Sequence, residues 1–151
     1  MGFPYSKVLC PLDFDDCSVG GLDKAAEIAR YFKASIVLIH VVPLVLRFRE
    51  VPTIPPEIHD KRIEAKTKLS DIARRRLADI EHEAFVYVGD VAESITQAVA
   101  DVSPDLVVMA THGRVGLAHL VLGSVAEAVV RKARCPVLTV RVEGSAISVS
   151  H

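Results

Sequence analysis

The sequence has little of several features that mark specialised classes of protein. It has no tryptophan, 5% aromatic residues and only three cysteines in 151 residues. An odd number of cysteines without Cys-x-x-Cys spacing favours reduced thiols in a cytoplasmic protein over a disulfide framework. An excess of positive charge is also missing, since the formal net charge is −1. This balance argues against a nucleic-acid binder, whose affinity comes mainly from positive charge that meets phosphate.

Long apolar runs are missing as well. The most apolar stretch, residues 36–46, is interrupted by His40 and Pro43. It falls far short of the roughly 20 residues that a membrane-spanning helix needs, so we expect no membrane association. Half of the residues are nevertheless apolar, and a chain of this length buries a sizeable core. We expect one globular domain over residues 1–143 and a flexible tail at 144–151.

Short apolar runs alternate with longer segments of helical periodicity, which predicts a doubly wound α/β fold. Strands separated by helices imply right-handed crossovers and a parallel sheet covered on both faces. Ligands bind to such sheets beyond the carboxyl ends of the strands. The predicted strands are 7–12, 35–42, 84–88, 105–110 and 136–142. The predicted helices are 18–33, a segment from Pro56 through Leu77 and Ile80, 92–102 and 124–133.

The most informative segment follows the fourth predicted strand, with the sequence THGRVGLAHLVLGS. Glycines such as Gly113 and Gly123 let backbone N–H groups approach a ligand, and the following helix N-terminus favours an anion. The Ser124 hydroxyl and the Arg114 guanidinium add groups suited to phosphate. The segment matches neither the Walker A motif nor the Gly-x-Gly-x-x-Gly fingerprint. A glycine-rich turn in which Ser124 caps the helix explains the spacing equally well.

Three acids, Asp13, Asp15 and Asp16, follow the first predicted strand. Carboxylates at this position suit a ribose hydroxyl, a Mg²⁺ ion beside a triphosphate, or a general base. Asp13 directly follows the buried run, so we expect it to contact a ligand and Asp15 or Asp16 to cap the next helix. Cys17 lies near the same helix start, and its acidic neighbours oppose thiolate formation. We therefore interpret Cys17 as structural.

Seven basic residues lie between Lys61 and Arg76, against two acids. On an amphipathic helix, such residues most simply form the solvated face. Together with the balanced total charge, this pattern leads us to expect no nucleic-acid partner.

The segments together resemble the universal stress protein family over nearly the whole chain. The resemblance is carried by KVLCPLDFDDCS, SIVLIHVVP, VGDVAESI and DLVVMATHGRVGLAHLVLGSVAEAVVRKARCPVLTVR. It implies a single flavodoxin-like (HUP-type) domain. In that domain a five-stranded parallel sheet has the strand order 3-2-1-4-5 and carries helices on both faces.

Members of this family that bind ATP carry the motif Gly-x2-Gly-x9-Gly-Ser/Thr at the end of the fourth strand. In the present sequence the motif falls on Ala110, Gly113, Gly123 and Ser124, so alanine replaces the first glycine. The replacement adds a methyl group where the ribose and phosphates of the nucleotide are expected to pass. Alanine is tolerated there without strain if its φ is negative.

The resemblance implies a nucleotide site. Asp13 would bond the ribose hydroxyls, and the backbone of Val41 would hold the adenine edge. N–H or hydroxyl donors to the phosphates would come from Gly113, Gly123, Ser124 and Val125. A Mg²⁺ ion would sit between phosphate oxygens and water. The complete candidate set is Pro11, Leu12, Asp13, Val41, Met109, Ala110, Gly113, Arg114, Gly123, Ser124 and Val125.

Two functions from different classes are compatible with the sequence. One is a stress-response or signalling module that binds ATP or AMP, with no assigned catalytic residue and at most slow ATP hydrolysis. The other is a nucleotide-free interaction protein with a relic of the glycine-rich loop. The resemblance also implies a homodimer through antiparallel pairing of the last strand, Pro136–Val142. In either case an unknown protein partner is expected.

Overall fold

Strands and helices alternate strictly along the chain in the computed structural model, which describes residues 3–44, 54–112 and 122–142. The strands form one parallel sheet in the order β3-β2-β1-β4-β5, which confirms the predicted flavodoxin-like fold. The elements are β1 (Lys7–Pro11), α1 (Asp16–Phe32), β2 (Ser35–Pro43), α2 (Pro56–Arg76), β3 (His82–Gly89), α3 (Val91–Val102), β4 (Leu106–His112), α4 (Ser124–Lys132) and β5 (Val137–Val142).

The strand order reverses its direction at β1, which has β2 on one side and β4 on the other. Side chains of β1 point alternately to the two faces of the sheet. Val8 and Cys10 pack with buried residues of α1 and α2, whereas Leu9 packs with buried residues of α3 and α4. The sheet is therefore covered on both faces, and its switch point lies between β1 and β4.

The prediction for the second helix was wrong at its carboxyl end. Helix α2 ends at Arg76, and the N–H of the capping residue Leu77 donates to the carbonyl of Ala73. Leu77 is fully buried and Ile80 is 7% exposed, although both lie outside the helix. Their apolar spacing continues the helical pattern because the connection to β3 also packs on the core, so burial alone mimicked helical periodicity.

Helix α1 begins at Asp16, two residues before the predicted start, and its cap agrees with the prediction that Asp15 or Asp16 caps this helix. Asp15 is the N-cap, and its Oδ1 accepts a hydrogen bond of 2.7 Å from the N–H of Ser18. A carboxylate at this position satisfies a donor that the helix itself leaves unpaired. The first turn therefore begins directly after the β1–α1 loop, beside the carboxyl edge of the sheet.

Helix α2 carries the basic stretch on its solvated face, as predicted. All seven basic residues from Lys61 to Arg76 are exposed. Salt bridges join Lys68 to Glu64 and Arg76 to Asp23. No helix in the described ranges is long and apolar enough to span a bilayer. The expected tail at 144–151 lies outside the described residues.

Candidate functional site

A cavity of about 880 Å³ opens at the carboxyl edge of the sheet. Its walls come from the ends of β1, β2, β4 and β5, from α3, and from the first turn of α4. The volume falls within the range of about 300–1,000 Å³ that is typical of small-molecule sites. The cavity also lies at the switch point, where doubly wound sheets bind their ligands.

Nine of the eleven predicted site residues line this one cavity, although they come from four separate segments of the chain. They are Pro11, Leu12, Asp13, Val41, Met109, Ala110, Gly123, Ser124 and Val125. The other two, Gly113 and Arg114, lie outside the described residues. The fold thus brings together every predicted site residue that the structure describes.

Asp13 reaches the cavity from a loop that is held by its own hydrogen bonds. The N–H of Asp13 donates to Oγ of Ser18 over 3.3 Å, and Asp13 Oδ1 accepts from the N–H of Asp15 over 3.1 Å. Ser18 Oγ donates in turn to the Asp15 carbonyl. The same hydrogen bonds hold the helix cap and the loop. The backbone that carries the exposed Asp13 carboxylate is therefore fixed.

Phe14 and His40 stabilise the same loop from the side of β2. Phe14 adopts the left-handed conformation at φ 70°, which is costly for a bulky side chain. Its ring stacks on that of His40, with centroids 4.2 Å apart. His40 Nδ1 lies 2.7 Å from the carbonyl oxygen of Leu12. These contacts tie the end of β1 to β2 and place His40 in the cavity wall.

The first turn of α4 forms the opposite wall, and Ser124 does not cap this helix. Gly123 is the N-cap, and no side chain there accepts a hydrogen bond from the helix. The alternative that Ser124 serves only as a cap is therefore wrong, since Ser124 is the first helical residue and lines the cavity. The initial N–H groups of a helix lack intrahelical partners and carry partial positive charge. The turn therefore presents donors suited to an anion.

Gly123 leaves open space at this turn. A Cβ atom built on Gly123 would meet no atom of the described residues within 4 Å, and its φ of −59° is open to any residue. Glycine is therefore not needed at this position for the backbone conformation. Its absent side chain instead keeps the cavity free beside the α4 N-terminus.

Ala110, the departure from the family motif, points its methyl group away from the cavity. A Cβ atom built on Gly21 of α1 would lie 2.9 Å from the Ala110 Cβ, so the methyl group faces this helix. Only Phe14, Lys33 and Ser103 have positive φ among the described non-glycine residues, and Ala110 is not one of them. Alanine is therefore tolerated without backbone strain, and Ala110 contributes mainly its backbone to the cavity wall.

The surroundings of the cysteines disfavour their thiolate forms, which agrees with the interpretation of Cys17 as structural. Burial raises the pKa of the Cys17 thiol, and the charges of Asp15 and Asp13 raise it further. Burial likewise raises the pKa of Cys10 to about 12. All three cysteines are free thiols, and the raised pKa of Cys17 disfavours the thiolate form that a nucleophile needs.

Several residues that line the cavity were not predicted from the sequence. They are brought to the cavity by strand register and by the alternation of side chains along the strands. Arg141 of β5 pairs with Thr111 of β4, and both line the cavity. Only the pairing of β4 with β5 reveals that Arg141 lies on this face. The other missed lining residues are Ser18, Ile39, His40, Pro43, Val91, Ile95, Leu122 and Ala126.

The fold and the position of the cavity define a flavodoxin-like α/β protein with a cavity at the switch point of its sheet. The sequence model of the universal stress protein family matches residues 4–141. The chain belongs to the universal stress protein family.

Individual relatives are similar to this chain over more than four fifths of their own length. Universal stress protein MJ0531 of Methanocaldococcus jannaschii is 34% identical over 91% of this chain and 82% of its own. The solved structure of protein MJ0577 from the same organism has a TM-score of 0.74 at 30% identity and covers 93% of this chain and 99% of its own. A universal stress protein from Archaeoglobus fulgidus, solved in complex with dAMP, has a TM-score of 0.62 at 25% identity and covers 89% and 97%.

Proposed function

We propose that this protein binds an adenine nucleotide, ATP or AMP, in the cavity at the carboxyl edge and acts as a nucleotide-dependent stress-response or signalling module. The proposal is carried by the convergence of Asp13, Gly123 and Ser124 on one cavity of adequate volume. A carboxylate that accepts hydrogen bonds from ribose hydroxyls and a helix N-terminus that donates to phosphates are complementary to a nucleotide. The dAMP complex of a relative supports the same ligand class.

The position of each group supports one orientation of the nucleotide. Val41 belongs to β2, Asp13 follows β1, and Ser124 begins the helix that follows β4. Adenine at Val41, ribose at Asp13 and phosphates at Ser124 therefore follow the strand order across the edge. A Mg²⁺ ion would be held by phosphate oxygens and water, which suits its preference for retained waters.

Replacement of the first motif glycine by Ala110 is the sequence feature that favours a nucleotide-free protein. Its methyl group lies against Gly21 and leaves the cavity side of β4 unchanged. The replacement therefore does not argue against ATP. Nucleotide occupancy would act as a signal if the bound and free states differ in their affinity for a protein partner.

The proposal is tested by identification of the nucleotide in the purified protein. Mass spectrometry on the material released by denaturation reports any bound ligand, and calorimetric titration of the emptied protein with ATP, ADP and AMP in Mg²⁺ gives the affinities. We expect an adenine nucleotide in the released material and micromolar affinity. Absence of both signals at millimolar ATP would overturn the proposal. Phosphate release during a long incubation separates binding from slow hydrolysis.

A second candidate, a nucleotide-free dimeric interaction protein, is favoured by the surface around β5. Leu138 of β5 is 40% exposed and Val130 of α4 is 44% exposed. β5 is the last strand of the sheet, and an edge strand offers unpaired backbone groups to another chain. We propose a homodimer through Pro136–Val142 under either function, in a cytoplasmic protein with reduced thiols. Sedimentation of the wild type and of a Leu138→Lys variant tests the dimer, which the lysine should dissociate.

A further inference from the structure

One basic side chain of the cavity has no place in the family motif. Arg141 lies near the end of β5 and lines the cavity together with Ser124. Among the described residues that line the cavity, Asp13 and Arg141 are the two that carry a full charge at neutral pH. Asp13 follows β1 and Arg141 belongs to β5, so the cavity has one acidic and one basic end.

The orientation of Arg141 follows from the alternation of its strand. Val140 packs against the core on the α1 side, and Val142 lies against Gly20 of α1. Arg141, between them, therefore projects to the other face, where α4 lies. It is exposed, and no carboxylate in the described part of the chain forms an ion pair with it, whereas Arg131 of α4 pairs with Glu127. The guanidinium is available to a ligand.

The strand order gives the distance between the two charged ends. β4 lies between β1 and β5, and neighbouring strands are about 4.8 Å apart, so Asp13 and Arg141 start from strands roughly 10 Å apart. In the orientation proposed above, the ribose lies at Asp13 and the first phosphate at the α4 N-terminus. In this orientation a monophosphate would end at the α4 N-terminus. A triphosphate would extend further, towards β5.

We propose that Arg141 makes the site selective for nucleoside triphosphates over monophosphates by contacting the phosphates farthest from the ribose. This inference rests on the proposed nucleotide site. A guanidinium presents several donors in a fixed plane and forms bidentate bonds to phosphate oxygens. Such a contact exists only when the ligand carries more than one phosphate. Affinity should therefore rise from AMP to ADP to ATP through this one side chain.

The test compares ATP and AMP affinities, measured by calorimetry in Mg²⁺, for the wild type and for Arg141→Gln. We expect the variant to bind ATP about tenfold more weakly, while AMP stays within about twofold. Arg141→Lys should recover part of the ATP affinity, because it restores the charge without the planar donors. Arg134→Gln is the matched control, since Arg134 is exposed and does not line the cavity.

The outcomes separate this inference from the proposed function. Equal losses for ATP and AMP, or no loss for either, would overturn the role of Arg141 and leave the nucleotide site intact. Wild-type protein that binds AMP as tightly as ATP would overturn it without any variant. Wild-type protein that binds no adenine nucleotide would remove both proposals. Sedimentation of Arg141→Gln shows whether any change in affinity comes from an altered oligomeric state, and a selective loss of ATP that tracks dissociation of a dimer would count against a direct contact.

Discussion

The two ends of the sheet each carry an aspartate, and the two aspartates have different surroundings. At the amino end, the Asp105 carboxylate precedes β4 and accepts hydrogen bonds from the N–H of Ser6 at 2.8 Å, from Ser6 Oγ at 2.6 Å and from the N–H of Lys7 at 2.9 Å. At the carboxyl end, Asp13 follows β1, is exposed, and bonds within its own loop at the rim of a cavity. Both aspartates border the central pair of strands.

Position on a doubly wound sheet distinguishes a polar group that joins two strands from one that is exposed at the crevice where such sheets bind ligands. Asp105 ties β1 to β4, and its hydrogen bonds with Ser6 and Lys7 lower the pKa of its carboxyl group. Asp13 lies where the crossover loops diverge and leave a crevice. We therefore expect substitutions at the amino end to change stability and substitutions at the carboxyl end to change nucleotide affinity.

The largest effect on affinity is expected at Gly123. Gly123→Val should abolish nucleotide binding, because a branched side chain would fill the space beside the α4 N-terminus. The affinity should fall by more than about 100-fold. The stability should fall by about 1 kcal/mol or less, since valine is a poorer N-cap than glycine but its Cβ meets no atom of the described residues there. Calorimetric titration and urea unfolding measure the two quantities.

Ala78→Val is the control for Gly123→Val, because it adds a branched side chain at an exposed position away from the cavity. It should leave the affinity unchanged. Gly123→Ala should give an intermediate loss of affinity. A valine variant that binds ATP as tightly as the wild type would remove the α4 turn from the site.

At the amino end, Asp105→Asn should lower the free energy of unfolding by about 1–2 kcal/mol at pH 7, because charged hydrogen bonds become neutral or are lost. The pKa of Asp105 is lower in the folded protein than its ordinary value of 3.8. Its stabilisation is therefore complete above that value and is lost as the pH falls through the folded pKa. Urea unfolding at pH 7 and at about pH 2.5 should show the difference from wild type shrinking in acid.

Two further measurements test whether the effect of Asp105→Asn is specific to stability. Asp60→Asn, at an exposed position of α2, should change the stability much less and without this pH dependence. The ATP affinity of Asp105→Asn should equal that of the wild type. A loss of affinity comparable to that from a cavity residue would contradict the division between the two ends.

Asp13→Ala should weaken nucleotide binding by about 1–3 kcal/mol if the carboxylate accepts hydrogen bonds from the ribose hydroxyls. The loss should be much smaller for a ligand that lacks ribose hydroxyls, which titration with inorganic triphosphate measures. Asp16→Ala removes the same charge three positions further on, outside the cavity, and corrects for the general electrostatic effect. Equal losses in the two variants would show that Asp13 makes no specific contact.

The smallest effect on affinity is expected at Ala110. Ala110→Gly restores the family motif, yet it should change the ATP affinity by less than about twofold, because the methyl group faces Gly21. The stability should decrease by about 1 kcal/mol, since glycine weakens a strand interior. A large gain in affinity would show that the methyl group enters the site.

Gly21→Ala provides the complementary test of the contact between α1 and β4. Its new methyl group would lie 2.9 Å from the Ala110 Cβ, and overpacking of this kind costs about 1–3 kcal/mol. The double variant with Ala110→Gly should recover part of this loss, because one of the clashing atoms is gone. If the double variant lost as much stability as the two single variants together, the Ala110 methyl group would not lie against Gly21.

The strand and helix alternation, the order of the sheet through family resemblance, and nine of the nineteen described residues that line the cavity were predictable from the sequence alone. Those features depend on periodicity and on short motifs, which are local. Asp13 follows directly on a buried run and Ser124 on a glycine, so each was recognisable from its neighbours. The end of α2 was not, because Leu77 and Ile80 keep helical spacing outside a helix.

Features that depend on two distant segments of the chain became visible only in the tertiary structure. The direction of the Ala110 methyl group became visible once α1 was placed against β4. Arg141 entered the cavity because its strand pairs with β4 in one register, with Thr111 opposite Arg141. A shift of one residue would turn Arg141 to the other face. Register and helix packing are set by burial across the whole sheet, and no local pattern around Ala110 or Arg141 encodes them.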